Sequence, residues 1–249
     1  MEEWYNALVG ESGQYFHEQV IFPKSLELLQ FPPEADCSVL DLCCGQGVLA
    51  RVLPPHVMYV GVDLSPSLIQ AAKKITKRPH ASFLVGDVTQ PLPVKKKDFA
   101  YAVCILALQN VQDPLALFQQ AYQHLQVGGQ LLLVCNHPCF RIPRQSSWGV
   151  DPHTQLQYRR MDRYLTPMQI PIQANPGKGA ASSHSLSFHY PLSFFTEALD
   201  QVGFSIERLQ EWISPKESTG KMAKRENRSR EEFPLFLAIL ARKREGDQT

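Results

Sequence analysis

The order of apolar runs predicts an α/β protein built on a doubly wound, mainly parallel seven-stranded sheet whose last strand is antiparallel. Three observations carry this. Between residues 38 and 136, short apolar runs alternate with amphipathic stretches, the strand–helix rhythm that a parallel sheet requires. The run "FAYAVCILAL" (99–108) is apolar at almost every position, as a strand covered on both faces must be. Near the end, "FSIERLQEWI" and "FPLFLAILARK" are separated by a polar segment with no helical period. Two strands in succession without a crossover helix predict an antiparallel pair.

Each element has a local reason. Residues 14–30 have an amphipathic period, with Pro23 expected to kink the helix. "CSVLDL" is a first strand, "CCGQG" a glycine turn and "VLARVL" a helix. "VMYVGVDL" is a second strand. The helix after it starts at Ser65 as cap, with Pro66 at the first helical position. "ASFLVGD" and "FAYAVCILAL" are strands three and four. Asp113 caps a helix through "PLALFQQAYQHL", "VGG" ends it, and "QLLLVCN" is strand five. About fifty residues of irregular composition follow. "LSFFTEALDQV" is a helix closed by Gly203, and the two final strands complete the sheet.

With 249 residues, 44% of them hydrophobic, the chain suits one domain over 1–249. Within it we expect an N-terminal helical lid (1–33) and two insertions (136–190 and 214–232). A net charge of +1 gives no bulk case for nucleic acid or an anionic membrane. No apolar run approaches the roughly 20 residues of a membrane helix. "MEEWYNALVGESG" lacks the basic-then-apolar order of a secretion signal. None of the six cysteines forms a C-x-x-C pair. These features lead us to expect a cytoplasmic protein with reduced cysteines and no metal.

The glycine turn is the first chemical signal. Gly45 and Gly47 let the backbone turn sharply and approach a ligand. Alone the turn is ambiguous. With Ala50 it fits a nicotinamide-dinucleotide fingerprint, and it also fits a turn that binds nothing. Three acids narrow the choice. Asp41, Asp63 and Asp87 end three successive strands. An acid at 41 disfavours a pyrophosphate and suits an ammonium, one at 63 can accept ribose hydroxyls, and one at 87 can accept an adenine amine. A positively charged nucleoside without phosphates satisfies all three, and S-adenosylmethionine is such a molecule.

"VLDLCCGQG", "GVDLS", "GDV", "CILALQN" and "LQVGGQLLLV" resemble, in order and spacing, the successive motifs of class I S-adenosylmethionine-dependent methyltransferases. The likeness is close over residues 37–136. It departs at Cys44, where a glycine is frequent. "HPCFRIPRQSSWG", "QYRRMDRYL" and "ENRSREEFPLFLA" resemble a bacterial subgroup of these enzymes. The resemblance implies a Rossmann-like fold. It implies that Asp41, Cys43, Gly45, Gln46 and Gly47 hold the amino-acid end of the cofactor, and that Asp63 takes the ribose. Asp87 and Val88 read adenine, with Leu64 and Leu68 against the ring. Cys104 to Leu106 line the methionine side, and Tyr15 closes over it.

Methyl transfer is an in-line displacement, so the protein supplies alignment more than chemistry. In such a sheet, ligands sit at the carboxyl ends of the strands. Both insertions leave from that edge, and both are cationic. The first holds six lysines and arginines against two aspartates, and the second six against four glutamates. This predicts a small anionic acceptor gripped by arginines. Candidate acceptor-side residues are Tyr5, His17, Gln109, Asn110, Asn136, Phe140, Arg141, Arg144, Trp148, Tyr158, Arg159 and Arg160. His137, next to Asn136, is the candidate base. RNA is the rival acceptor, because arginines and aromatics interleave in "QYRRMDRY". A protein that binds the cofactor without transferring methyl is a second alternative.

Overall fold

A computed structural model describes residues 14–33, 37–173 and 184–245. Seven strands form the main sheet: β1 (Ser38–Leu42), β2 (Met58–Asp63), β3 (Ala81–Val85), β4 (Phe99–Ile105), β5 (Leu125–Asn136), β10 (Phe204–Trp212) and β11 (Phe236–Lys243). Their spatial order is β10-β11-β5-β4-β1-β2-β3. β11 runs antiparallel to both β5 and β10, and the remaining neighbours are parallel. The expected fold class is therefore the one observed, including the reversed final strand.

Each face of the sheet carries its own core. On one face pack α1 (Phe22–Leu29), α2 (Val48–Val52) and α3 (Pro66–Ile75). On the other pack α4 (Pro114–His124) and α5 (Leu192–Val202). The cap signals hold. Ser65 Oγ accepts from Leu68 N at 3.3 Å, and Asp113 Oδ1 accepts from Ala116 N at 3.0 Å. Gly203 closes α5 in the left-handed region at φ 109°, where a Cβ would stand 2.8 Å from the Tyr122 ring.

Four expectations need correction. The segment after β5 is not irregular. It forms two antiparallel hairpins, β6 (Ser146–Val150) with β7 (Gln157–Met161), and β8 (Met168–Gln173) with β9 (His184–His189). The polar segment before β11 contains a helix, α6 (Ala223–Glu232), that buries only Ser229 and so has no apolar stripe to betray it. "VGG" does not end α4; it lies inside β5, where the pairing with β4 shifts register. The N-terminal helix is not α-helical throughout: a π-helical turn, His17–Ile21, comes directly before α1 and Pro23 in one continuous helical run from Tyr15 to Leu29. Among the described residues no helix is long and apolar enough to cross a membrane.

Candidate functional site

The carboxyl ends of β1 to β5 open on a cavity of about 790 Å³. Its floor is the turn after β1. Cys43 N and Cys44 N both donate to Val62 O, at 2.8 and 3.0 Å. The chain then reverses through Cys43 and Gly45, both at positive φ (66° and 57°). Gly45 N donates to Asp63 Oδ2 at 2.8 Å, and Ser65 N to Asp63 Oδ1 at 2.9 Å. Asp63 is thus fixed by two backbone donors. Burial raises its pKa, and those two donors oppose the rise.

The turn's other members serve packing. Gly47 does not line the cavity. A Cβ there would stand 2.5 Å from the Phe83 ring, so glycine lets α2 close onto β3. Cys44, the departure from the motif, points into the core. Gly61 on β2 makes room for it, since a Cβ on Gly61 would meet Cys44 Sγ at 2.7 Å. Gln46 is buried away from the cavity.

Asp41 is also placed differently from expectation. It is 4% exposed, lies beneath the floor, and accepts from Tyr59 Oη at 2.6 Å. Burial pushes its pKa up to about 7, against the Tyr59 hydrogen bond and with a smaller push from Asp63. Cys104 is fully buried, and the next residue, Ile105, faces the cavity instead. Tyr15 lies outside it, half-exposed beneath Lys216, while Phe16 lines it and meets Phe236 edge-on at 5.5 Å.

The remaining cofactor candidates meet in one place. Cys43, Gly45, Asp63, Leu64, Leu68, Asp87, Val88 and Leu106 all line the cavity. Leu64 is 69% exposed, an apolar platform left open at the end of β2. Asp87 uses Oδ1 to hold Thr89 N and Thr89 Oγ1, at 2.9 and 2.8 Å, and this leaves Oδ2 for a ligand.

The acceptor-side candidates divide. His17, Gln109, Asn110 and Asn136 line the cavity. Asn136 is exposed after five buried residues of β5, because the cavity begins there. His17 Nδ1 accepts from Gln14 N at 3.0 Å, which puts the ring proton on Nε2. Burial lowers its pKa, so the ring is a neutral donor.

His137 is not a base facing the cavity. It is 1% exposed; Nδ1 accepts from Cys139 N at 3.2 Å and Nε2 donates to Glu211 Oε1 at 2.7 Å. Burial lowers its pKa, with Glu211 opposing. Its backbone N bonds Leu235 O at 3.0 Å, so it joins the ends of β5, β10 and β11. Phe140 and Trp148 pack on Phe233, outside the cavity. Arg159 donates to Phe140 O at 2.9 Å and to Ser146 Oγ at 2.6 Å. Arg160 pairs with Asp162 at 3.0 Å on the surface. Arg144 and Tyr158 are exposed, Tyr158 lying over Gly149. Tyr5 lies outside the described residues. Arg141 borders a smaller pocket that shares Gln109, Asn136 and Phe188 with the main cavity.

Several lining residues carried no signal we used. Phe188 comes from β9, and Leu235 and Phe236 from the start of β11. Pairing of Phe236 with Asn136 brings that strand start to the cavity rim. An antiparallel register drawn from the sequence could have found it.

The chain matches known proteins over the same elements. A family model described as a methyltransferase domain covers residues 39–129. A demethylmenaquinone methyltransferase of Staphylococcus saprophyticus is 31% identical over 171 residues, 67% of this chain and 69% of the relative. An 18S rRNA (guanine-N(7))-methyltransferase of Bos taurus is 33% identical over 122 residues, 44% of this chain and 43% of the relative. The chain spans about half the length of the first curated relatives it matches. Among solved structures, an S-adenosylmethionine dependent methyltransferase from Mesorhizobium loti shares the fold, with a TM-score of 0.71 at 23% identity, over 91% of this chain and 99% of that one.

Proposed function

Because the chain belongs to the class I S-adenosylmethionine-dependent methyltransferases, we propose that it transfers a methyl group from S-adenosylmethionine to a small anionic acceptor in the cytoplasm. The observation that carries the cofactor half is the row of ligand-ready groups along β2 and β3. Asp63 is held by two backbone donors, Leu64 is open, and Asp87 Oδ2 is unused. A ribose diol, a purine face and an exocyclic amine match these three in order. The residues present therefore fit the nucleoside. Glycine at 45 and the left-handed Cys43 let the backbone come close to the amino-acid end.

The bound cofactor supplies an activated methyl group. The chain's own part is positioning and dryness. Asp63, Leu64 and Asp87 fix the nucleoside. Phe16, Phe188 and Phe236 wall the cavity with apolar surface. Gln109, Asn110, Asn136 and the His17 Nε2–H donate or accept at the other end. Three amides and a neutral imidazole suit an acceptor with oxygen functions.

The concave shape supports a small molecule over RNA. Two of the three arginines that suggested RNA are engaged within the fold: Arg159 donates to Phe140 O and Ser146 Oγ, and Arg160 pairs with Asp162. Incubation with methyl-labelled S-adenosylmethionine and a cell-metabolite extract, followed by mass spectrometry, tests the proposal. Label is expected in a small acidic product. Label in RNA or in neutral metabolites alone would overturn the acceptor assignment.

A further inference from the structure

The cationic insertions raise a question that Arg159, Arg160 and Arg230 answer by folding. Arg141 does not. Its side chain makes no hydrogen bond or ion pair among the described residues, and its Nε is buried without a partner. A second guanidinium, Arg159, stands close by, and both lie against the Trp148 ring, at 5.7 and 5.0 Å from its centroid. Two neighbouring guanidiniums with no facing carboxylate are an unfavourable arrangement in a partly buried site, and an anion between them and the cavity relieves it. Burial and the Arg159 charge pull the Arg141 pKa down to about 10, so it is still a cation at neutral pH.

The surroundings give the anion a place. Arg141 lines a pocket of about 40 Å³ that shares Gln109, Asn136 and Phe188 with the main cavity. About 10–15 Å³ of such space holds one water molecule. The pocket therefore has room for a small oxyanion, and the flat guanidinium fork of Arg141 matches the two oxygens of a carboxylate. The backbone holds the cation in place. Arg141 N donates to His137 O at 2.8 Å, and His137 is itself tied to Glu211 and to Leu235 O. His137, displaced from the role of base, is a positioning residue for this turn.

We propose that Arg141 and this side pocket form a carboxylate subsite that anchors the acceptor. This deepens the methyltransferase reading and rests on it for the identity of the ligand as acceptor. A carboxylate paired with a guanidinium is a weakened nucleophile. It is therefore a handle, and a different atom of the acceptor takes the methyl group.

The test uses the full chain saturated with S-adenosylhomocysteine and two probes, sodium acetate and inorganic phosphate. Nitrogen–proton spectra of the arginine Nε–H groups are recorded, with the Arg141 signal identified by its loss in Arg141→Lys. Acetate is expected to shift that signal saturably, with a Kd on the order of 10 mM, as a four-heavy-atom fragment allows. Phosphate at equal concentration separates a carboxylate subsite from a general oxyanion site, and a weaker shift is expected with it. In Arg141→Gln, acetate binding is followed at the Asn136 side-chain amide, which lines the same pocket; it is expected to weaken at least ten-fold while S-adenosylhomocysteine affinity is unchanged. No acetate shift up to 100 mM in the native chain overturns the proposal, whatever the variants do. So does an equal phosphate shift, or undiminished acetate binding in Arg141→Gln. Failure to bind S-adenosylhomocysteine sinks the methyltransferase reading instead, and leaves the acetate result standing in the unloaded protein.

Discussion

The two halves of the cavity treat polar groups in opposite ways. Along β1 to β4 the chain keeps functional groups open: Leu64 is exposed, Asp87 spares an oxygen, and Asp63 is aimed by backbone donors. Beyond β5 it ties several polar and charged groups to one another. His137 goes to Glu211, Arg159 to Phe140 O and Ser146, Arg160 to Asp162. At the strand ends the ligand-facing acids also brace their own turns, Asp63 through Gly45 N and Ser65 N and Asp87 through Thr89. The β6–β7 hairpin has no fully buried residue and is held by cation–aromatic contacts and side-chain hydrogen bonds. A count of charges in a segment therefore says little about a site until the partners are known.

The sharpest way to break the first half is at its floor. Gly47→Val puts a branched side chain into the Phe83 ring at a left-handed φ of 72°. Strain and overpacking together predict a loss of roughly 2–5 kcal/mol, read by urea unfolding. Little loss would mean the turn is not set by this contact.

Asp41 tests the buried layer below it by pH. Its pKa is raised in the folded state, to about 7 from 3.8. The folded chain thus binds a proton that the unfolded chain gives up. The resulting stability is full below pH 3.8 and is lost as pH rises through 7. Relative to Asp41→Asn, the native protein should weaken over this window by on the order of 4 kcal/mol. Parallel stability curves for the two proteins would contradict this placement.

Cofactor contacts come next. Asp63→Asn and Asp87→Asn should each weaken S-adenosylhomocysteine binding about 10- to 100-fold, the range for losing a charge-assisted hydrogen bond, with the larger loss at Asp63, where two backbone donors also depend on the carboxylate. Across the divide, His137→Gln should lower stability by roughly 1–3 kcal/mol and leave S-adenosylhomocysteine affinity unchanged in calorimetry. A large affinity loss would contradict this structural role for His137. The smallest effect belongs to Arg160→Ala. It breaks an exposed pair with Asp162 and should change stability by under about 0.5 kcal/mol.

The parts legible in the sequence were those fixed by local rules. Ser65, Asp113 and Gly203 announced helix ends, and Asp63 and Asp87 announced strand ends. The parts that were not legible depend on long-range partners. His137 looked free because Glu211 is 74 residues away in sequence. Tyr15 was chosen over Phe16 because a π-helical turn, with its wider spacing, changes which residue faces inward. Within the stretch Cys104 to Leu106, Ile105 and Leu106 line the cavity and Cys104 does not, because alternation along a doubly covered strand gives no hint of which face ends there. Helix α6 was invisible because a helix with one buried residue has no apolar period.

The central claim is that β1 to β4 present a nucleoside site for S-adenosylmethionine. Calorimetric titration of the native chain with S-adenosylhomocysteine and, separately, with NADH tests it most directly. The account predicts a single-site isotherm for S-adenosylhomocysteine, weakened by Asp87→Asn, and no heat of binding for NADH. Saturable NADH binding, or S-adenosylhomocysteine binding indifferent to Asp63 and Asp87, would contradict it.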